Sequence, residues 1–256
     1  MRIPASLCGV VGFKPTIGSI DTDGVLPLSP SLDTVGSFGP DVLAASRGAE
    51  MMSGRSGVAL HELPPNAPLK LAVPHGWVFN LDNTVGSKWE EIAASLPRIP
   101  FPSLATLTRY SLDILYAEAS AIHRRWVASN SELYGRDVLE RLRQALKTPA
   151  ADYVDALHHR RIIRSEVAAA MSGVDALLLP TTAAVAPLIG PNINVEPLAR
   201  FTRPFNYTGQ PVFSLPVPGS GLPVGIQVIG HLGQDTELAR VAQRLQDILA
   251  TGPTAV

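Results

Sequence analysis

Charge is scarce in this sequence. Of its 256 residues, 21 are Lys or Arg and 22 are Asp or Glu, which gives a formal net charge of −1. Binding to a nucleic-acid backbone requires a concentrated basic surface. No run of basic residues here is long enough to provide one, so we expect no nucleic-acid partner.

Cysteine is almost absent. Cys8 is the single cysteine, which excludes an intramolecular disulfide and indicates a reducing compartment. A catalytic thiol would need a paired base and a partly exposed position. Because Leu7, Val10 and Val11 are apolar neighbours and free cysteine is often buried, we expect Cys8 to be a small core residue.

Long uninterrupted hydrophobic runs are also missing. The most apolar stretch, DALLLPTTAAVAPLIG, is interrupted by Pro180 and Pro187 and is too short to span a bilayer. Near the N-terminus, Pro4, Gly9 and Gly12 break any secretory signal. With 46% hydrophobic and 17% charged residues, the composition is typical of a globular protein. We expect a soluble, cytoplasmic protein that does not contact a membrane.

The familiar motifs of catalytic and cofactor sites are absent as well. No serine has the glycine spacing of a nucleophile elbow. The stretch GSGLPVG (219–225) misses the dinucleotide-binding spacing by one residue and precedes a strand rather than a helix. His158 and His159 are adjacent, so on a helix they diverge by about 100° and cannot both bind one ion. We expect no cofactor and no metal.

The segments that are present alternate between helical and strand-like patterns. Apolar residues recur at helical spacing, and short apolar runs predict buried strands. We predict helices over 41–53, 85–96, 111–130 and 136–146, one that begins with Thr148 as N-cap and Pro149 as its first residue, and a closing helix with Asp235 as N-cap. The strand candidates are 69–74, 175–180, 211–217 and 221–230. Strands separated by long helices predict an α/β fold, most simply as one domain.

Two features of the predicted helices concern burial. Trp89 and Trp126 lie at positions that predict core packing. The segment ALHHRRIIR carries a basic face, for which solvent exposure is the usual explanation and partner binding the alternative. From the residues alone, no catalytic machinery can be assigned.

The first 36 residues match a known pattern at many fixed positions. The stretch MRIPASLCGVVGFKPTIGSIDTDGVLPLSPSLDTVG resembles the amidase signature family, which consists of serine hydrolases that cleave carbon–nitrogen amide bonds. The matching positions are Arg2, Pro4, Ala5, Cys8, Gly9, Gly12, Lys14, Pro15, Thr16, Gly24, Pro27, Ser31, Leu32, Asp33 and Gly36. VDALLLPTT (174–182), FTRPFNYTGQPVFSLPV (201–217) and the closing strand and helix continue the resemblance.

The resemblance implies an incomplete catalytic set. In the family, the nucleophilic serine lies two residues before the arginine that aligns with Arg2, which places it immediately before Met1. The catalytic lysine and second serine lie further upstream, so none of the three is expected in this chain. The implied fold is the C-terminal part of the family's α/β/α architecture: a mixed twisted sheet covered by helices and incomplete on its N-terminal side. Residues 1–256 would form one partial domain, with a helical insert at about 111–172 and closing strands and helix at about 174–250.

The resemblance also assigns roles to residues that are present. Arg2, Pro4, Lys14 and Asp33 are expected to be structural, Lys14 with a charged partner nearby. Thr181, Thr182 and Asn206 are candidates for the substrate pocket, although Thr and Asn also suit turns. The implied substrate of the complete protein is a small-molecule amide.

Three interpretations remain open. The chain is part of a full amidase with a misassigned start, an inactive fragment or pseudoenzyme that serves as an interaction module, or a protein similar to the A-type subunit of an amidotransferase. A sheet without its preceding portion would expose strand edges and apolar faces. We therefore expect the isolated chain to be poorly soluble or oligomeric, with a homodimer as one form.

Overall fold

A computed structural model describes residues 1–54, 68–190 and 194–252. Within these ranges, seven strands form one sheet in the order β2-β1-β6-β7-β5-β3-β4. The strands are β1 (Val11–Lys14), β2 (Ser37–Gly39), β3 (Leu71–Pro74), β4 (Arg98–Ile99), β5 (Ala176–Pro180), β6 (Val212–Val217) and β7 (Val224–Ile229). The strand β3 is parallel to β4 and β5, and the other pairs are antiparallel. The predicted mixed sheet is confirmed, as are all four strand candidates.

Helices surround this sheet. They are α1 (Arg2–Cys8), α2 (Val42–Ser53), α3 (Asn83–Ala93), α4 (Leu104–Ser129), α5 (Arg136–Ala145), α6 (Ala150–Met171), α7 (Glu196–Ala199), α8 (Arg203–Thr208) and α9 (Asp235–Thr251), with a 3₁₀ turn at Ser131–Leu133. Helices α1, α2 and α9 pack on the part of the sheet that contains β1 and β6, and α3 packs near β5 and β7. In the part of the chain that the structure describes, no helix is long and apolar enough to cross a membrane.

Side-chain caps explain where several helices begin. The Asp41 carboxylate accepts from the Ala44 amide at 2.7 Å and starts α2. Asp82 does the same for Val85 at the start of α3. Such caps satisfy amides that have no partner within the helix. Together with the apolar spacing, they place α2 and α3 where the sequence predicts helices.

The segment predicted as a helical insert, about 111–172, contains most of α4 together with α5 and α6, and α4 packs against both of the others. Helix α4 begins at Leu104, seven residues before the predicted start at 111. Ser103 is its N-cap and accepts from the Thr106 amide. Leu104 and Leu107 in its first turns are buried, so tertiary packing reinforces the early start.

The sequence patterns predict no helix before residue 41, whereas Arg2–Cys8 form α1. Pro4 does not interrupt it, since the first turn of a helix needs no internal amide donors. Gly9 ends the helix with a φ of 68°, a left-handed conformation that glycine adopts without strain.

Two predicted caps also need correction. Pro149, not Thr148, is the N-cap of α6. Asp235 is the first residue of α9, with Gln234 as N-cap. The Asp235 carboxylate instead accepts from the backbone amide of Thr16 at 2.7 Å, so it joins α9 to the chain after β1 rather than capping its own helix.

Burial agrees with some predictions and contradicts others. Trp89 is buried, as predicted. Trp126 is 46% exposed, and its ring packs edge to face on His123 of its own helix. Cys8 is exposed rather than in the core, and nearby Val11 is fully buried. The basic segment is not simply a solvated face, since Arg160 is only 9% exposed.

Candidate active site

Arg2 lies buried at the start of α1. Its guanidinium donates to the Thr202 carbonyl oxygen at 2.8 Å, to Asn206 Oδ1 at 2.6 Å and to Gln227 Oε1 at 3.2 Å. Burial lowers the pKa of Arg2 to about 9. Within the described ranges no carboxylate forms an ion pair with Arg2, so neutral oxygens alone hold this cation.

Lys14, the last residue of β1, is a second buried basic side chain. Its Nζ donates to the Pro15 carbonyl oxygen at 2.9 Å. Burial is the main cause that lowers the pKa of Lys14, and the charge of Arg2 lowers it further, while Asp235 acts in the opposite direction. The predicted charged partner is not found among the described residues as an ion pair, and Asp235 is committed to Thr16.

Asp33 organises the loop that follows β1. Its Oδ2 accepts from the backbone amides of Leu28 at 2.8 Å and Ser29 at 3.0 Å. A carboxylate that accepts local amides replaces the hydrogen bonds a loop otherwise lacks. These bonds are compatible with a structural role for Asp33, which stays a prediction.

The helical insert holds the same loop from the outside. Glu118 of α4 accepts from Ser29 Oγ at 2.7 Å and from the Ser31 amide at 3.0 Å, and its other oxygen accepts from the Tyr153 hydroxyl of α6 at 3.1 Å. Arg160 of α6 donates to the Ser31 carbonyl oxygen at 2.9 Å. The insert therefore fixes the position of the 28–33 loop.

Arg160 and Arg164 also connect α6 to α8. Arg160 Nε donates to the Tyr207 carbonyl oxygen at 2.5 Å, and Arg164 Nε donates to that of Thr208 at 2.8 Å. The last carbonyls of a helix have no partner within it and carry partial negative charge. Burial lowers the pKa of Arg160 to about 10.

Gly36 permits a close approach of the loop to the start of the chain. A Cβ at this position would lie 2.2 Å from the Phe13 carbonyl oxygen and 2.5 Å from Met1 Sδ. No side chain fits at such distances. Glycine at position 36 is therefore required for the loop to close over Met1.

These parts enclose a cavity of about 260 Å³ beside the start of α1. Its walls come from α1, the end of β1, residues 32–34 of the following loop, and α8 with its N-cap Thr202. The lining residues are Met1, Arg2, Ile3, Pro4, Lys14, Leu32, Asp33, Thr34, Thr202 and Asn206. Two basic side chains, Arg2 and Lys14, and one carboxylate, Asp33, are among its lining residues.

The three predicted pocket residues occupy different places. Asn206 lines this cavity. Thr181 and Thr182 are buried at the end of β5, where their hydroxyls lie 2.8 Å from Ser214 Oγ and 3.3 Å from Ser6 Oγ. Contact of any of the three with substrate stays a prediction. Among the described residues, no three His, Cys, Asp or Glu side chains are grouped to hold a metal ion.

Sequence reasoning missed three contributors to this site. Gln227 projects from the buried strand β7, accepts from Arg2, and donates to the Phe201 carbonyl oxygen at 2.7 Å. A glutamine inside the apolar run VGIQVIG is a signal that could have revealed it, because buried polar groups need partners. Glu118 and Arg160 gave no comparable signal, since charged residues on helices are usually exposed.

Known proteins resemble this chain along nearly its whole length. The sequence model of a family described as Amidase matches residues 1–239. The A-type subunit of glutamyl-tRNA(Gln) amidotransferase from Synechococcus sp. (strain CC9902) is 30% identical over 311 residues, covering 100% of this chain and 63% of that protein. The protein of the same description from Thermotoga maritima is 29% identical over 298 residues, covering 96% and 62%.

Solved structures of amidases and amidotransferase proteins are also similar to this chain. A crystal structure of an amidase superposes with a TM-score of 0.87 at 30% identity, covering 96% of this chain and 60% of that one. The Thermotoga maritima amidotransferase protein superposes with a TM-score of 0.71 at 28% identity, covering 95% and 59%. The chain thus spans about 60% of the length of these relatives.

Proposed function

Because the chain belongs to the amidase signature family, we propose that it is the C-terminal portion of an enzyme that hydrolyses a carbon–nitrogen amide bond through an acyl-enzyme. One observation carries the proposal: the cavity beside the start of α1 is lined by Met1 and Arg2, where the family motif lies. The proposal treats residues 1–256 as one partial domain of a cytoplasmic protein that acts on a small-molecule amide.

The family resemblance supplies the nucleophile in this proposal. A serine immediately before Met1 would border the same cavity, because Met1 itself lines it. An amide carbonyl is a poor electrophile, so the serine needs an activating base and an oxyanion hole. In the family these groups lie upstream of the position of Met1, and none of the described residues is assigned such a role.

This chain contributes the frame of the site. Arg2 donates to Asn206 Oδ1, which fixes the orientation of the Asn206 amide and leaves its Nδ2 as a donor beside the cavity. An amide donor at this position suits a carbonyl oxygen of the acyl group. The buried guanidinium of Arg2 adds a positive potential that favours a developing negative charge.

An activity assay with two proteins tests the proposal. The chain extended by its upstream in-frame codons should release ammonia from a panel of simple primary amides, whereas the 256-residue chain should release none. Loss of activity on changing the serine before Met1 to Ala would support the assignment. Turnover by the pure 256-residue chain, or an inactive extended protein that is folded, would overturn it.

The amidotransferase relatives favour a second candidate. Several matching curated proteins are described as the A-type subunit of glutamyl-tRNA(Gln) amidotransferase, so the complete protein would use glutamine as an amide donor within a complex. The extended protein would then release ammonia from glutamine in preference to other amides and would co-purify with partner subunits. The third interpretation, an inactive fragment that binds a partner, predicts a stop codon or frameshift upstream.

A further inference from the structure

A second cavity, larger than the one beside α1, lies away from Met1. It measures about 720 Å³ and shares no lining residue with the cavity beside α1. Its walls come from the loop after β3, the segment after β4, one face of α4, and α7 with the residue after it. The lining residues are His75, Gly76, Trp77, Phe79, Phe101, Ser103, Leu104, Ala105, Thr108, Arg109, Leu112, Glu196 and Arg200.

The position of this cavity in the fold suits a ligand. His75 follows β3 directly, and Phe101 lies two residues beyond β4. The strands β3 and β4 are parallel, so their carboxyl ends meet at one edge of the sheet, where α/β proteins commonly bind ligands. A volume of several hundred Å³ is also the usual size of a small-molecule pocket.

Aromatic side chains form part of the wall of this cavity. Trp77 is 2% exposed, and its Nε1 donates to the Pro102 carbonyl oxygen at 3.0 Å. The Phe101 ring packs edge to face on the Trp77 ring, with the ring centroids 5.2 Å apart. Trp77 is thus almost covered by protein and supports the Phe101 ring. The apolar surface left for a ligand is that of Phe101, which is partly buried, and of Phe79, which is 47% exposed.

Arg200 and Glu196, which also line the cavity, form an ion pair that has no net charge. Arg200 forms two parallel bonds to Glu196, both 2.7 Å long, and donates to the Phe79 carbonyl oxygen at 2.7 Å. Its guanidinium also lies 4.9 Å from the centroid of the Phe79 ring. This pair shapes the cavity without adding net charge.

Arg109 supplies the remaining charge. It is exposed at the rim and lies over the Tyr110 ring at 4.4 Å. Burial raises the pKa of Asp113, one turn further along α4, and the charge of Arg109 opposes this rise. No ion pair joins Arg109 to a carboxylate in the described ranges. The site therefore combines apolar aromatic walls with one guanidinium that forms no ion pair among the described residues.

We propose that this cavity binds a small organic carboxylate with an aromatic or aliphatic body, the body contacting Phe79 and Phe101 and the carboxylate meeting Arg109. Guanidinium and carboxylate match in charge and in fork geometry. The proposal concerns binding alone and does not depend on the hydrolysis proposed above.

Ligand-observed NMR titration of the full chain tests this, with 4-phenylbutyrate as probe and 4-phenylbutan-1-ol as its neutral counterpart. We expect saturable binding of the acid, about tenfold tighter than the alcohol, as one charge-assisted hydrogen-bonded pair provides. Arg109→Gln should remove this preference and leave the alcohol unchanged. Arg125→Gln, the same change at an exposed position of α4 outside the cavity, should behave like wild type.

A second variant tests the location independently. Ala105 is exposed on α4 and lines the cavity, so Ala105→Trp should fill the space and abolish binding of both probes without unfolding the chain. Equal affinity for acid and alcohol, an acid preference that survives Arg109→Gln, or binding that survives Ala105→Trp would each overturn the proposal. Inactivity toward amides would leave these results unaffected, so the two proposals fail separately.

Discussion

Arg2 fastens the first turn of the chain to three distant segments. Its guanidinium satisfies oxygens of Thr202, Asn206 and Gln227, and Arg2→Met would leave them buried without that donor. We expect the free energy of unfolding to fall by about 2–4 kcal/mol, since unsatisfied buried polar groups each cost about 1–3 kcal/mol. Urea unfolding measures the loss. Arg47→Met, at an exposed position of α2, is the control, and an equal effect of both changes would contradict the argument.

Lys14 makes stability depend on pH in the alkaline range. Burial lowers its pKa in the folded chain below the ordinary 10.5, so between the two values the unfolded chain binds more protons. The free energy of unfolding therefore rises as pH increases through that interval. Lys14→Met removes this contribution, so the stability of wild type relative to the variant should increase as pH rises toward 10.5.

Urea unfolding from about pH 7 to about pH 10, below the ordinary lysine pKa, checks the sign of this prediction. Lys147→Met, at an exposed lysine of the segment between α5 and α6, should keep the wild-type dependence. A constant difference between wild type and Lys14→Met across the range would show that the Lys14 amine does not change its protonation on unfolding.

At the scale of elements, one carboxylate of α4 joins the insert to the site. Glu118 accepts from Ser29, Ser31 and Tyr153, and Glu118→Ala would remove the bonds between the 28–33 loop and α4 while the bond from Arg160 of α6 to Ser31 remains. We expect a loss of about 2–3 kcal/mol on the scale of hydrogen bonds to charged groups, together with faster hydrogen exchange at the amides of 29–34. Glu166→Ala, an exposed glutamate of α6, should change neither quantity, and unchanged exchange in Glu118→Ala would refute the link.

Helices and strands that show a clear apolar pattern within their own residues were predictable from the sequence. Contacts between segments far apart in the chain were not. The runs 175–180 and 211–217 are apolar enough to indicate buried strands without any other information. Helix α1 was missed because its seven residues are few and its partners come from β1, β6 and β7. The same limit explains Asp235: its spacing predicts a cap, while its true partner, Thr16, is 219 residues away.

In the candidate site, too, residues of a sequence motif were identified in advance, and residues whose role depends on packing were not. The motif residues Arg2, Lys14 and Asp33 were identified by resemblance, and Arg2, Lys14, Asp33 and Asn206 do line one cavity. The roles of Glu118 and Arg160 depend on how the insert folds back over the 28–33 loop. That arrangement follows from packing of α4 against α6, which no spacing along the chain encodes.

At the scale of the whole molecule, exposed apolar residues bear on the expected association of the isolated chain. Leu188 and Ile189 are 93% and 101% exposed, as a pair in the segment between β5 and α7. Adjacent exposed apolar side chains favour self-association because burying them removes apolar area from water. We expect the chain to elute above its monomer mass in gel filtration with light scattering.

The double variant Leu188→Ser/Ile189→Ser should shift that equilibrium toward monomer, because it removes about 2 kcal/mol or more of apolar burial for each protomer. Val154→Ser, which removes an apolar side chain that is 63% exposed on α6, is the control for a general gain in polarity and should leave the mass unchanged. A wild-type chain that is already a cooperative monomer would refute association altogether. Association that persists in the double variant would assign it to another surface, and the short edge strands β2 and β4 would then be the next segments to alter, since unpaired edges also recruit a second chain.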